Sequence, residues 1–354
     1  MACAQFAGSI IAGQITDRFD RRTSAVVSSI VSFVALALVA AFEALDLESV
    51  ELLAILAGLV FLLNPVFDNA TRTMMPALFA RSELQKQNGR YVVLMEVGFF
   101  GAPVLFGAMI GLWGSVIAST VAAFFFFLAS TLFVALEVSS DREAAASEHQ
   151  KEFEKLDFRN LVTQQWLMAG LFAAIVANFG LLPVSNLFVP ARIEELGLSA
   201  TELGGFFTAI SMGFAAAGLL AERIHRAAHH IRNYHLGALI LAAVVYGAAY
   251  STNSILALWL SGLAAGLFLG IFEIRWKSLI QENTPSPILG RVYALSSWTS
   301  FAGRSAGLFI GGVILTTNSA EDGILALSSA TAVLLALQLV LGSWLGKRLL
   351  NLRR

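Results

Sequence analysis

The sequence predicts an all-α membrane protein whose helices form two related halves. Three observations predict this fold class: an apolar composition, a series of long apolar stretches, and a charge pattern that recurs along the chain. Of the 354 residues, 57% are hydrophobic and 13% are charged, whereas soluble domains carry about 25% charged residues. This composition is typical of a polytopic membrane protein and argues against a soluble enzyme, a nucleic-acid binder or a secreted disulfide scaffold.

Ten stretches are long and apolar enough to cross a bilayer, which takes about 20 residues of helix. They cover residues 23–43, 50–71, 90–112, 115–137, 164–190, 202–221, 235–251, 254–274, 291–317 and 323–346. The apolar residues 1–16 would reach only about 24 Å as a helix, against a hydrocarbon core of about 30 Å. We expect them to be the inner end of a second helix, with a first helix missing from this chain.

The 23 Lys and Arg residues predict the orientation of the chain. Twenty-one of them fall in alternate loops or at the C-terminus, and the intervening loops carry acids, with Arg192 as their one base. By the positive-inside rule the basic side is cytoplasmic. We therefore expect a multi-pass protein of the plasma membrane whose C-terminus is cytoplasmic. The remaining base, Arg304, lies inside a predicted span.

A charge pattern relates the two halves of the chain. Four residues of the first loop recur 205 positions later in the same order, and Asp68 and Arg72 recur at that offset as Glu273 and Lys277. The recurring loop residues are Gly13, Asp17, Arg18 and Arg21, which correspond to Gly218, Glu222, Arg223 and Arg226. We predict an N-terminal half over residues 1–137 (part of helix 2 through helix 6), a cytoplasmic linker over 138–163, and a C-terminal half over 164–354 (helices 7–12).

Residues 13–22, Gly-Gln-Ile-Thr-Asp-Arg-Phe-Asp-Arg-Arg, resemble the signature loop of the major facilitator superfamily. Residues 69–76, 281–285 and 290–292 are similar to a branch of bacterial inner-membrane proteins that includes enterobactin exporters and transmembrane secretion effectors. The resemblance implies two pseudo-symmetric six-helix bundles, the major facilitator fold. The stretch that contains Gly98, Gly101, Pro103 and Gly107 is similar to the antiporter motif of exporters, although Ala102 separates the usual Gly-Pro pair. We expect these residues to serve close helix packing.

The resemblance also implies a gating charge cluster on the cytoplasmic side. In the family, the loop acid, the loop arginine and an acid on the fourth helix hold the two halves together while the outside is open. Gly13, Asp17, Arg18, Arg21 and Asp68 match that motif. The pseudo-symmetric copy consists of Glu222, Arg226 and Glu273. The alternative is that these charges only set the topology of solvated loops.

Two ionisable residues, Glu96 and Arg304, lie inside predicted spans. Charges within a bilayer are costly, so such residues are functional candidates. Glu96 is the predicted proton-coupling residue, because a carboxyl group in an apolar setting can hold a proton near neutral pH. The alternative is a packed Glu bonded to a neighbouring helix. Arg304 keeps its charge and needs an acid, a bound anion or water beside it.

The resemblance places the substrate path between the two halves, lined by the first, fourth, seventh and tenth helices. Polar groups there orient a ligand and aromatic rings supply contact area. The candidates on the helices present are Asn64, Asn178, Phe179 and Trp276. Alternatively, the aromatic side chains anchor the protein at the membrane interface or pack in its core.

Together these features predict a secondary active transporter and not an enzyme. We expect a proton-coupled exporter, an antiporter, that moves a small amphipathic drug or siderophore out of the cell by alternating access. Two alternatives remain: a lysolipid or lipid flippase on the same fold, and a truncated or non-transporting membrane protein. The expected partners are the substrate, protons and the lipid bilayer, without nucleic acid, and the expected state is a monomer. No cofactor or metal site is predicted, since Cys3 is the one cysteine and no phosphate-binding loop occurs.

Overall fold

The computed structural model describes residues 7–12, 15, 19–47, 49–136, 164–198, 200–228, 233–248, 254–285 and 288–351. Over these ranges the chain is helical and contains no β-strand. Over their described residues, the ten predicted apolar stretches are almost entirely helical. Seven helices in the described part of the chain are long and apolar enough to cross a membrane. The all-α membrane fold class is therefore confirmed, while the missing first helix stays a prediction.

The helices vary in length. In chain order they are α1 (Arg21–Ala44), α2 (Val50–Leu78), α3 (Leu84–Trp113), α4 (Ser115–Ala135), α5 (Gln165–Pro183), α6 (Val189–Glu195), α7 (Ala200–Ala228), α8 (Tyr234–Ala248), α9 (Ile255–Asn283), α10 (Leu289–Thr317) and α11 (Ala320–Asn351). A 3₁₀ turn, Arg81–Glu83, precedes α3. A π-helical turn, Val184–Phe188, joins α5 to α6. Residues 7–12 are also helical.

Local sequence explains where several helices begin and end. The Asp20 carboxylate accepts the Thr23 N–H at 2.7 Å and so caps α1, and Ser49 caps α2 in the same way. Gly114 alone separates α3 from α4, with a φ of +86°. Because glycine adopts positive φ without steric cost, the chain can reverse there in a single residue.

The chain divides into two compact units, each built mainly from one half of the sequence. The first consists of Met1–Leu84, Phe99–Val162 and Ile280–Trp298; the second consists of Gln85–Gly98, Thr163–Leu279 and Thr299–Arg354. Each unit thus includes a short segment from the other half of the sequence. These segments are the start of α3 in the second unit, and the end of α9 with the start of α10 in the first. The predicted linker 138–163 lies wholly outside the described residues, so the predicted half boundaries stay a prediction.

In the first unit, α1 packs against both α2 and α4. The core there contains Ala25, Ala70 and Met74. The buried face of α1 is rich in serine, and the Ser29 hydroxyl donates to the Ala25 carbonyl of its own helix at 2.9 Å. Small side chains with internally satisfied hydroxyls let membrane helices approach closely.

In the second unit, glycines of α10 lie directly against the backbone of α5. A Cβ atom added to Gly303 would lie 2.6 Å from the Ile175 carbonyl oxygen, and one added to Gly307 would overlap the Phe179 carbonyl. Real Cβ atoms do not come this close to backbone, so only glycine fits at these two positions. These two glycines hold α10 close to α5 and therefore position the neighbouring residues of both helices.

Candidate functional site

The start of α3 carries a row of contacts to α7 and α9, helices of the C-terminal half that share the second unit with it. We call this row the α3 contact face; it consists of Lys86, Asn88, Gly89 and Glu96. Its ends are ten residues apart, or about 15 Å along a helix. Spacings of three and seven residues keep Lys86, Gly89 and Glu96 on one side of the helix.

The outermost contact is an ion pair. The Lys86 Nζ atom lies 3.2 Å from the Glu222 Oε2 atom, and the other Glu222 oxygen lies 3.4 Å from the Arg226 guanidinium. The Lys86 and Glu222 side chains are each 44% exposed. Exposed ion pairs contribute little stability, so this pair influences which helix ends meet and does not hold them firmly.

The next two contacts are buried. The Asn88 side-chain amide donates to the Ser278 hydroxyl of α9 at 2.9 Å. Gly89 faces Gly218 of α7, where a Cβ added to Gly218 would lie 2.5 Å from the Gly89 carbonyl oxygen. The two helix backbones therefore touch at this glycine pair. Neither glycine can gain a side chain unless the helices move apart.

Glu96 forms the innermost contact of the α3 contact face. The Ser211 hydroxyl of α7 donates to the Glu96 Oε2 atom at 2.5 Å. An apolar cluster that contains Val92, Ala217, Ala221 and Ile274 lies along the same contact of α3 with α7 and α9. A short O–H···O bond to a carboxylate in such surroundings is a strong one.

Matching contacts occur in the first unit. The Asn69 side-chain amide of α2 donates to the Gly290 carbonyl at the start of α10, at 3.2 Å. The Gln281 amide at the end of α9 donates to the Arg72 carbonyl at 3.1 Å. Gly290 is the repeat counterpart of Gly89 at an offset of 201 residues. In each unit, therefore, a helix start from one half of the sequence is bonded to helices of the other half.

The predicted gating charges lie on the same helices as these contacts, with Asp68 on α2 and Glu273 on α9. The Arg72 Nε atom lies 3.0 Å from both Asp68 oxygens, and Arg21 donates to the Thr73 carbonyl at 2.9 Å. The Lys277 Nζ atom lies 3.7 Å from Glu273, which repeats the spacing of the Asp68–Arg72 pair. Gly13, Asp17 and Arg18 lie outside the described residues.

Comparison with known proteins identifies the family. The sequence model of the Major Facilitator Superfamily matches residues 1–308. The chain belongs to this superfamily. It is 25% identical to the Enterobactin exporter EntS of Escherichia coli O1:K1 / APEC over 362 aligned residues, which cover 99% of this chain and 82% of the exporter.

Solved structures show the major facilitator fold. The human organic anion transporter MFSD10 (TETRAN) aligns with a TM-score of 0.76 at 15% identity, covering 96% of this chain and 81% of that one. A bacterial homologue of the iron transporter ferroportin, in an outward-facing state with soaked iron, aligns at 0.70 with 18% identity, covering 97% and 88%. The family match and the similarity to the enterobactin exporter identify this major facilitator protein as a transporter and not an enzyme, and it resembles the enterobactin-exporter branch.

The predicted substrate-path residues of this major facilitator chain occupy different environments. Asn64 is exposed on α2. Asn178 lies beside Gly303, and its amide donates to the Ala174 carbonyl of its own helix at 2.9 Å. Phe179 lies beside Gly307 through its backbone. The assignment of Asn64, Asn178 and Phe179 to a substrate path stays a prediction.

Trp276 differs from the expectation of a ring that lines an open path. It is 1% exposed, and its ring packs on Gly170 of α5 and lies 6.2 Å from the Trp166 ring, centroid to centroid. Gly170 leaves room that a larger residue would occupy. In this structure the Trp276 ring therefore packs between α9 and α5.

Two other predicted features stand apart from the α3 contact face. Arg304 is exposed on α10, and no hydrogen-bond or ion-pair partner for it occurs among the residues that the structure describes. Gly98 has no described atom within 4 Å of an added Cβ, so close helix packing is not seen there. The surroundings of Gly101, Pro103 and Gly107 lie outside what the structure describes. No metal-binding cluster of three or more His, Cys, Asp or Glu occurs in the described ranges.

Sequence reasoning missed the hydroxyl partners of the α3 contact face. Ser211 is a single serine in an apolar span, and Ser278 follows a basic segment, so neither stands out by pattern. Lys86 is one of the bases in the alternate loops, so in the sequence its charge predicts the orientation of the chain and not a partner. Gly89 was the available signal, because Gly89 and Arg90 recur as Gly290 and Arg291.

Proposed function

We propose that this transporter exports a small amphipathic molecule of the drug or siderophore type, and that protons moving inward drive the export. The substrate class is supported by the similarity to Enterobactin exporter EntS along 99% of the chain. The basic side is taken as cytoplasmic, as the positive-inside rule indicates. The halves 1–137 and 164–354, joined by the linker 138–163, alternate access to a central path.

The contact between Glu96 and Ser211 carries the coupling part of the proposal. This carboxyl group lies in an apolar helix and bonds to a helix of the other half at 2.5 Å. Adding or removing its proton changes the charge that must be accommodated there. Proton binding at Glu96 would therefore bias the separation of α3 from α7.

The remaining contacts of the α3 contact face, with Asn69–Gly290 and Gln281–Arg72, act as the cytoplasmic gate in this proposal. They are a few neutral hydrogen bonds, an exposed ion pair and a glycine contact. A transport cycle requires two states that differ by only a few kcal/mol. A set of individually weak contacts can form and break within that range.

Exchanging the charges of Lys86 and Glu222 tests the gate. Lys86→Glu and Glu222→Lys each place like charges side by side, so we expect each to lower the transport rate by about twofold or more. The double variant restores an opposite pair and should recover most of the loss. The measurement is the initial rate of enterobactin accumulation in inverted membrane vesicles at matched protein level. If the fractional rate of the double variant is no higher than the product of the fractional rates of the two single variants, the pair is not part of the gate.

The same vesicles test the function itself. Inverted vesicles that contain the full chain should accumulate enterobactin when respiration acidifies their interior, and an uncoupler should abolish accumulation. Vesicles without the protein are the control. Accumulation that ignores the uncoupler would contradict proton coupling. Absence of accumulation, combined with movement of a labelled lysophospholipid between leaflets, would replace the exporter with the flippase alternative.

A further inference from the structure

A groove of about 500 Å³ runs along the surface of the first unit between α1 and α4. Its floor is formed by Ala40 and Ala123, which are 7% and 3% exposed. The Phe33 and Phe127 rings, 5.4 Å apart between centroids, are in contact and close the end of the groove remote from Ala44. The volume falls within the range of about 300–1,000 Å³ that is typical of ligand pockets. A chain-like apolar ligand would find depth and side contacts here.

The length of the groove matches one leaflet of a bilayer. Its lining on α1 extends from Phe33 to Ala44, which is about 16 Å of helix at about 1.5 Å per residue. Half of a hydrocarbon core of about 30 Å is about 15 Å. Ala44 is at the end of α1 remote from Arg21, so the groove lies in the leaflet opposite the basic side.

The open end of the groove is acidic. Glu43 precedes Ala44, and one of its carboxylate oxygens accepts the Ser119 hydroxyl of α4 at 3.2 Å. No second partner for the Glu43 carboxylate occurs among the described residues. Asp46, Glu48 and Glu51 follow in sequence, and no base occurs between Arg22 and Arg72. The end that meets the headgroup region therefore favours a positive charge.

We propose that this groove binds a phospholipid with an ammonium headgroup, such as phosphatidylethanolamine. One acyl chain lies over Ala40 and Ala123 and ends at the Phe33–Phe127 pair, and the ammonium group pairs with the free carboxylate oxygen of Glu43. The lipid is a bound component of the first unit and not a transported substrate. The inference is thus independent of the proposed export function.

Native mass spectrometry of the full chain, released from nanodiscs with equal phosphatidylethanolamine and phosphatidylglycerol, tests the groove. We expect about a two- to fivefold preference for retained phosphatidylethanolamine, the range of a partly exposed charge pair. Ala44→Trp and Thr120→Trp, on facing walls, should each reduce retention of that lipid. The matched control is Ala54→Trp, an exposed alanine of α2 outside the groove, which should retain the lipid as the wild type does.

The headgroup contact has its own test. Glu43→Gln can still accept the Ser119 hydroxyl but loses the charge, so the lipid preference should fall to near one. Glu51→Gln, on the same acidic side, is the control and should keep the preference. An equal retention of both lipids by the wild type would overturn the proposal. So would a dimer that Ala44→Trp converts to monomer, because a second copy would then occupy the groove.

Discussion

Gly89→Ala is expected to lower the transport rate by about fivefold or more. The new Cβ would lie 2.7 Å from the Ala221 Cβ and closer still to the Gly218 carbonyl oxygen. Backbone cannot rotate out of the way as a side chain can, so α3 and α7 must separate. Overpacking of this kind costs about 1–3 kcal/mol, which changes the ratio of two states by about 5- to 150-fold. The state with the closed α3 contact face would become the minor one.

The same helix supplies the control for this prediction. Gly98→Ala adds an identical methyl group where no described atom lies within 4 Å, so it should transport as the wild type does. Both variants are compared by enterobactin accumulation in inverted vesicles. Ser278 is fully buried in the closed contact face. In a Cys3→Ser background, the rate at which maleimide labels Ser278→Cys therefore measures how often the contact face opens. Equal transport and equal labelling in the two variants would contradict the role of the glycine pair.

Glu96→Gln is expected to abolish proton-driven accumulation while substrate exchange continues. The glutamine side-chain oxygen can still accept the Ser211 hydroxyl, so the contact that is now 2.5 Å long keeps its geometry. The amide cannot bind or release a proton in the physiological range. Accumulation of substrate against its gradient needs one proton per cycle and should therefore fall at least about tenfold. Exchange should continue, because the variant loses the proton that drives transport but keeps the substrate-binding site.

Two assays separate these effects. Accumulation against a gradient requires coupling, whereas exchange of labelled for unlabelled enterobactin across the membrane does not. Glu83→Gln, which removes a carboxylate just before α3 begins, is the matched control and should leave both activities intact. If Glu96→Gln vesicles still accumulate enterobactin and still respond to an uncoupler, the coupling proton binds elsewhere.

The helices of this protein could be predicted from sequence because lipid leaves the backbone few choices. A segment in the hydrocarbon region must satisfy its own N–H and C=O groups, so each long apolar stretch becomes a helix. The apolar stretches also predicted a break between residues 112 and 115, where Gly114 provides the turn. The π-helical turn at Val184–Phe188 was not predicted, since it lies inside an uninterrupted apolar stretch.

The contacts between helices were harder to predict, because apolar sequence does not encode which partner each helix meets. Asp68–Arg72 and Glu273–Lys277 could be found, since both partners lie four residues apart. Ser211 is 115 residues from Glu96, and no local pattern connects them. Trp276 was assigned to the substrate path on residue type, yet Gly170 provides a space that its ring fills. When a small residue and the large residue that packs on it are far apart in sequence, a single sequence does not indicate that they are in contact.

The exchanged segments have a consequence for how the protein is made. The first unit includes Ile280–Trp298, which the ribosome adds about two hundred residues after Leu84. At about 5–20 residues per second, the earliest helices wait on the order of ten to forty seconds for their last partners. During that interval the Asn69 amide and the Arg72 carbonyl lack their Gly290 and Gln281 partners. The N-terminal helices therefore enter the bilayer as an incomplete assembly, and biosynthesis of the later helices completes it.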